Sequence, residues 1–231
     1  MNTGIQSIVL IRHAPSTANL DPTEYLRTPD HAIPLADPLA DPGAIAAGQR
    51  VAELSLVPAQ VCAWSSSYLR CAQTRQIVLQ TAFGESASLV GLRESFLLRE
   101  QEFGDWDGLT EEEMAARDPA RFEKRRRMAD LFGRFYFRFP NGESRADVVQ
   151  RLAIFIGKIH RSRYSHHVVV LHGVTQRAFR MAWHNRSPEW FEQEPNPPNA
   201  SVLRIHRREP GGPWVETRLD GRLPGATVQT S

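Results

Sequence analysis

The sequence predicts an α/β fold: a three-layer αβα sandwich around a mostly parallel central sheet, with a helical, aromatic insertion as a cap and a C-terminal β-hairpin. Three observations carry this expectation. Short apolar, β-branched runs alternate with stretches of helical periodicity, the pattern of a sheet covered by helices on both faces. Two of the runs, Ser7 to Ile11 (SIVLI) and His167 to Leu171 (HVVVL), are nearly continuous in apolar residues, as strands buried on both sides are. Near the C-terminus, Ala200 to His206 and Trp214 to Leu219 flank Glu209-Pro-Gly-Gly-Pro213, which reads as a hairpin with a loose turn.

In chain order, the first strand stops abruptly at Arg12-His13-Ala14-Pro15, and residues 20–42, rich in Pro and Asp, read as a long irregular loop. Gly43 to Leu56 has apolar residues at helical spacing. Val61 to Ser65 (VCAWS) is a second short strand, followed by a helix over about 69–82. Ser88 to Leu92 is read as a third strand. Glu111 to Arg127 is charged and helix-prone, interrupted at Asp118-Pro119, and Leu131 to Phe139 (LFGRFYFRF) is strongly aromatic. Asn141-Gly142 marks a turn, and Ser144 is the expected N-cap of a helix from Arg145 to about Arg161. The HVVVL strand then ends at His172-Gly173, and a helix runs from Thr175 to His184. The reading is one domain over 1–231, with the cap at about 100–140 and a frayed tail at about 221–231.

A hydrophobic share of 41% and a charged share of 23% suit a globular protein with a sizeable core. Net charge is only +2, which gives no electrostatic case for a nucleic-acid or membrane-surface partner. Lysine occurs only at Lys124 and Lys158, so arginine, the better forked partner for phosphate, carries nearly all the positive charge. Cys62 and Cys71 are too few for a disulfide framework, and the N-terminal stretch reads neither as a signal peptide nor as a membrane span. The expected location is the cytoplasm.

IVLIRHA and VVVLHGV each run from an apolar strand straight into a histidine. Ligands of open parallel sheets bind beyond the carboxyl ends of the strands, so His13 and His172 meet on one edge if their strands are neighbours. Arg12-His13-Ala14, with Ser16-Thr17 and Asn19, resembles the RHG signature of the histidine phosphatase superfamily (phosphoglycerate mutase-like), with Ala14 in place of the usual glycine. Ser66 to Thr74 (SSYLRCAQT) resembles that family's second signature, whose arginine matches Arg70. Leu98 to Gly108 (LREQEFGDWDG) resembles the acid segment of branch 1, and Asn141-Gly142-Glu143-Ser144 and Leu171-His172-Gly173 complete the set in the family's order. The resemblance covers about residues 7 to 206 and points to a phosphatase-type member.

It implies a phosphomonoesterase in which His13 carries the phosphoryl group. The chemistry needs an unprotonated ring nitrogen as nucleophile and donors around the equatorial oxygens. Arg12 and Arg70 supply forked donors, His172 another if protonated, and Asn19 a neutral one; Ser16 and Gly173 complete the expected substrate-binding set. One carboxyl group can protonate the leaving alkoxide and later activate water. Spacing does not choose between Glu100 and Glu102; the resemblance favours Glu100.

Arg12 beside His13 would repel a cation, so no metal and no cofactor is expected, and activity should survive EDTA. His166 and His167 read as solvent-facing residues ahead of the strand, and Arg125-Arg126-Arg127 as a solvated helix face. The aromatic segment is expected to shape the leaving-group pocket, with Phe135 and Tyr136 as its probes, and its exposed patch could support a homodimer. The partner is a small-molecule phosphate ester whose identity is not readable. Mutase-type phosphoryl transfer is the alternative; Phe103, where the resembling mutases carry tyrosine, and the acidic run at Glu111, where they carry a lysine, speak against it. A binding protein on an inactive scaffold is weaker still, since every expected catalytic residue type is present.

Overall fold

The computed structural model describes residues 4–209 and 211–219; the tail expected over 221–231 lies outside the described residues. Among these, the elements are β1 (Ser7–Arg12), α1 (Thr17–Leu20), α2 (Pro42–Ala52), β2 (Val61–Ser65), α3 (Leu69–Phe83), β3 (Gly91–Glu94), α4 (Glu111–Arg117), α5 (Pro119–Phe132), α6 (Arg145–His160), β4 (His166–Leu171), α7 (Gly173–His184), α8 (Pro188–Gln193), β5 (Val202–Arg207) and β6 (Trp214–Arg218). The six strands lie in the order β3-β2-β4-β1-β5-β6. β3, β2, β4 and β1 pair in parallel, and the β5–β6 hairpin is added antiparallel to β1.

Side-chain alternation divides the core into two layers. Ile8, Leu10, Trp64, Val169, Leu171 and Ile205 face one way, against Leu152, Phe155 and Ile159 of α6 and Phe179 of α7. Val9, Ile11, Ala63, Val168 and Val170 face the other, against Ala47 and Val51 of α2 and Val78 and Leu79 of α3. Each fully buried aliphatic side chain contributes about 1.5–3 kcal/mol, so helices on both faces are what such strands require. That is the expected three-layer α/β sandwich.

Several elements differ from expectation for local reasons. The third strand begins at Gly91, because 84–89 winds into 3-10 turns. A Cβ on Gly91 would sit 2.4 Å from the Tyr164 hydroxyl, so a larger residue there would have to displace the Tyr164 ring. Residues 20–42 contain two short 3-10 turns, at Pro22–Leu26 and Asp30–Ala32. Asp118 ends α4 and caps α5 by accepting from Arg121 N at 3.0 Å, so the interruption yields two helices.

His166 and His167 correct the sequence reading: both lie in β4 and both are buried. β4 has strands on either side and helices above and below, so no residue in it reaches solvent freely. Ser7 Oγ meets His166 Nδ1 at 2.8 Å, and Trp64 Nε1–H donates to His167 Nδ1 at 3.1 Å. Burial holds the His167 pKa down at about 4, so the ring stays neutral. Among the described residues, no helix is long and apolar enough to cross a membrane.

Candidate active site

The β1–β4 register sets the site. Arg12 lies opposite Leu171, so the residues that follow, His13 and His172, leave the sheet side by side. Their ring centroids are 5.2 Å apart, edge to face. His13 N donates to Leu171 O at 2.9 Å and Ala14 N donates to Thr74 Oγ1 at 3.0 Å, which holds the turn out of β1. Thr74 Oγ1–H in turn donates to Arg70 O at 2.7 Å, joining the first two sequence motifs across α3.

The His13 ring has a defined tautomer. Its Nδ1 lies 2.8 Å from Ala14 O, and a carbonyl can only accept, so Nδ1 carries the proton and Nε2 keeps its lone pair. Burial, then the charges of Arg70 and Arg12, hold its pKa well below the ordinary histidine value, so the ring is neutral near pH 7. His172 is fully buried as the N-cap residue of α7, its Nε2 3.0 Å from Ser66 Oγ. Burial, Arg70 and His13 push its pKa well down too. The charged His172 considered from sequence is therefore not the resting form; it offers at most a neutral N–H.

The arginines approach from two directions. Arg12 Nη1 donates to Pro197 O at 2.6 Å. Arg70 Nη1 donates to Asp30 O at 2.6 Å and lies 2.8 Å from Asp30 Oδ1. The Nε of each is buried without a hydrogen-bond partner among the described residues. Asn19 Oδ1 accepts from Ser16 N, Ser16 Oγ and Asn199 Nδ2, which turns its own amide into a fixed donor. Ser16 thus acts on Asn19 rather than lining the cleft.

Glu100 and Glu102 part company in space. Glu100 accepts from Gln101 N at 3.0 Å and, at 3.3 Å each, from Val174 N and Thr175 N in the first turn of α7. Burial raises its pKa against those hydrogen bonds and the nearby arginines, so it holds a proton more readily than an ordinary glutamate. Glu102 turns to Tyr68 and Arg99, accepting from each at 3.2 Å, and does not line the cleft.

The Asn141-Gly142-Glu143-Ser144 motif holds the acid loop. Glu143 accepts from Arg99 at 2.6 Å and takes a two-pronged bond from Arg151 at 2.9 Å each, while Arg151 also donates to Leu97 O and Glu100 O. Gly104 (φ +58°) has Pro140 O only 2.0 Å from where a Cβ would be, so only glycine lets the two segments meet. Gly173 has a similar use: a Cβ there would lie 3.2 Å from Asn196 and 3.5 Å from Arg12 Cζ.

Together these elements enclose a cleft of about 560 Å3 lined by Arg12, His13, Asn19, Arg70 and Glu100 at one end. Its walls include Phe103, Trp106 and Phe139, with Arg125 and Arg145 on the cap side. His172, Ser16 and Gly173 stand behind that lining. Of the aromatic segment Phe139 does line the cleft, but the two probe residues need correction: Phe135 is buried in the core 5.4 Å from Phe191, and Tyr136 is exposed. Arg126 and Arg127 are solvated and paired with Glu123, but Arg125 pairs with Glu111 at 3.0 Å and faces the cleft. Asp30, Trp106 and Arg145 escaped the sequence reading. Asp30 sits in an aperiodic loop, and nothing nearby in sequence points it at Arg70.

The sequence profile of the histidine phosphatase superfamily (branch 1) matches residues 8–220. The chain belongs to this superfamily. Relatives of this histidine phosphatase superfamily member include the phosphoglycerate mutase-like protein AT74 of Arabidopsis thaliana, 34% identical over 90% of the chain and 66% of that protein. The broad-range acid phosphatase DET1 of Saccharomyces cerevisiae is 38% identical over 46% of the chain and 31% of its own length. The chain thus spans no more than about two thirds of AT74 and a third of DET1. A mycobacterial glucosyl-3-phosphoglycerate phosphatase shares the fold at 21% identity and TM-score 0.65, covering 92% of this chain and 97% of that one. The α-ribazole phosphatase of Shigella flexneri does so at 19% identity and TM-score 0.65, over 88% and 91%.

Proposed function

We propose that this protein is a metal-independent phosphomonoesterase that hydrolyses small-molecule phosphate esters through a phosphohistidine on His13. The observation that carries the reading is the His13 ring, neutral and protonated at Nδ1, with Nε2 free in a cleft shared with two incompletely bonded arginines. Orphaned arginine Nε atoms also occur elsewhere, as on Arg204; those of Arg12 and Arg70 belong to side chains lining the cleft. A phosphoryl group is the ligand that would satisfy them.

In the first step Nε2 attacks phosphorus, the P–O bond to the leaving group breaks, and Glu100 gives its proton to the departing alkoxide. Arg12, Arg70 and the Asn19 amide stabilise the charge on the equatorial oxygens. In the second step Glu100, now a carboxylate, takes a proton from water as its oxygen attacks phosphorus. The P–N bond breaks and free phosphate leaves. His172 holds the His13 ring edge-on and offers the phosphoryl group a neutral donor.

The test is an alkaline quench during turnover of an aryl phosphate, followed by mapping of the acid-labile phosphoryl group. Label on His13, with His13→Ala inactive, folded and unlabelled, is the expected result; a fully active His13→Ala protein would exclude the mechanism. EDTA should leave turnover unchanged. Likeness to a phosphoglycerate mutase-like protein keeps phosphoryl transfer between hydroxyls as a second reading. Incubation with 3-phosphoglycerate, with and without 2,3-bisphosphoglycerate, decides between them: hydrolysis releases free phosphate, whereas a mutase forms 2-phosphoglycerate with little release.

A further inference from the structure

The strands that deliver His13 and His172 to the cleft also meet at their opposite ends. There Ser7 of β1 pairs with His166 of β4, and the antiparallel β5 runs out to Arg207 and the hairpin turn. A cavity of about 490 Å3 opens at this edge, lined by residues of all three strands and of the turn. It shares no lining residue with the catalytic cleft. The length of β1, roughly 16 Å at about 3.3 Å per residue, separates the two.

Arg204 decides what this cavity suits. Its Nε is buried without a hydrogen-bond partner, as are those of Arg12, Arg70, Arg177 and Arg218. Each of the other four reaches a carbonyl or a carboxylate through another nitrogen. Among the described residues the Arg204 guanidinium reaches neither. Burial lowers its pKa and no carboxylate offsets the effect. A partly desolvated cation without a counter-charge is costly, and an anion is what would relieve it.

The surroundings add positive charge. Arg207 lies 4.8 Å over the Trp214 ring, a contact that leaves its charge in place, and Arg208 is exposed and in no ion pair among the described residues. Glu209, also exposed, is the acid of the lining and pairs with none of the three. His166 is only 9% exposed and forms the wall at β4. Its Nδ1 is held by Ser7 Oγ, and its Nε2 makes no hydrogen bond among the described residues. With the Ser7 hydroxyl donating to Nδ1, Nε2 carries the proton and is a donor without an acceptor. Guanidinium forks match both carboxylate and phosphoryl oxygens. A carboxylate presents two coplanar oxygens. A phosphoryl group presents three in a tetrahedral spread, which donors converging from β4, β5 and the turn can share.

We propose that this cavity is a second binding site, remote from His13, for a small phosphate-type anion held by Arg204, Arg207 and Arg208 and by Nε2–H of His166. Free phosphate and the oligophosphate of a larger molecule offer the same oxygens. The site stands apart from the phosphatase reading, whose failure would leave it untouched.

The test is imidazole NMR on the full-length protein, with the His166 signal identified through His166→Gln. The titrants are inorganic phosphate, methylenediphosphonate (an uncleavable diphosphate) and malonate. His13 and His172 report the catalytic cleft separately, so binding there is not mistaken for this site. The His166 signal should shift saturably with at least one phosphoryl probe, and malonate should need about tenfold more to match it. A response to phosphate assigns a single-phosphate site, and a response to methylenediphosphonate alone assigns an oligophosphate site. Arg204→Gln should raise the half-saturating concentration about tenfold, the effect of losing a charged hydrogen bond. Arg208→Gln, on the exposed turn, should raise it measurably and decides the matter if Arg204→Gln does not fold. A His166 signal that ignores both phosphoryl probes, or follows malonate equally well, would overturn the site. So would a response that survives these substitutions in protein of unchanged melting temperature.

Discussion

His13 donates from Nδ1 to the Ala14 carbonyl, and burial beside Arg70 and Arg12 opposes a second proton, so the neutral form that the proposed mechanism needs persists into the acid range. Activity should therefore fall only as pH drops below 6.5, through the lowered His13 pKa. Glu100 works in the opposite sense. Its pKa is raised above 4.5, and the acid role proposed for it ends as pH climbs through that raised value. For an alkyl phosphate, kcat/KM should trace a bell, its acid limb lying below the ordinary histidine value and its alkaline limb above the ordinary glutamate value. Glu100→Gln should slow alkyl phosphates by roughly 10²–10⁴-fold, the range of general acid catalysis, and spare an aryl phosphate whose phenolate leaves unaided. An unchanged alkyl-to-aryl ratio would contradict the assignment. Arg12→Ala removes one of the proposed phosphoryl donors and should cost about 3–4 kcal/mol of barrier, read as kcat on the aryl ester. The residue types of this site were legible because each motif is a short word in the chain. Choosing Glu100 over Glu102 was not, since α7 amides hold one carboxyl while Tyr68 and Arg99 draw off the other.

At the scale of elements, the acid loop is held by charge rather than by regular secondary structure. Glu143 gathers Arg99 and Arg151, and Arg151 reaches the carbonyls of Leu97 and Glu100 on either side of the bend. Their side chains are 13% and 7% exposed, so removing one charge strands the other in a poorly solvated place. Glu143→Gln should destabilise by about 3–5 kcal/mol, measured by denaturant unfolding, and should lower kcat on alkyl more than on aryl esters as Glu100 loses its support. A silent Glu143→Gln would mean the loop holds itself. Phe135→Ala belongs to packing: a loss of about 3–5 kcal/mol with ester preference unchanged is expected. Hydrophobic periodicity found most of the strands and helices because their buried faces recur at the local repeat. It misplaced β3, which is preceded by 3-10 turns over 84–89, and it read two histidines as exposed because burial of β4 comes from neighbours distant in sequence.

Across the whole molecule, the hairpin is tied to the α7 side of the sheet through Glu216. Burial pushes its pKa up, but hydrogen bonds from His184 and Arg180 and the charges of Arg180 and Arg186 bring it down to about 2. A carboxyl whose pKa is depressed on folding adds stability above its unfolded value, and that stability is lost as pH falls toward the folded one. The melting-temperature gap between the unaltered protein and Glu216→Gln should thus be largest near neutrality, equivalent to about 3 kcal/mol, and close between about pH 4.5 and 2. A gap independent of pH would assign Glu216 a packing role instead. By itself the chain determined its layers, its two strand-terminal histidines and the family its motifs resemble, because strand alternation and short signatures are properties of neighbouring residues. Only the tertiary structure decided which carboxyl meets α7, that Asp30 holds Arg70, and that Arg145 shares a cavity with His13. Those pairings join segments tens of residues apart, and no local repeat encodes which ones touch.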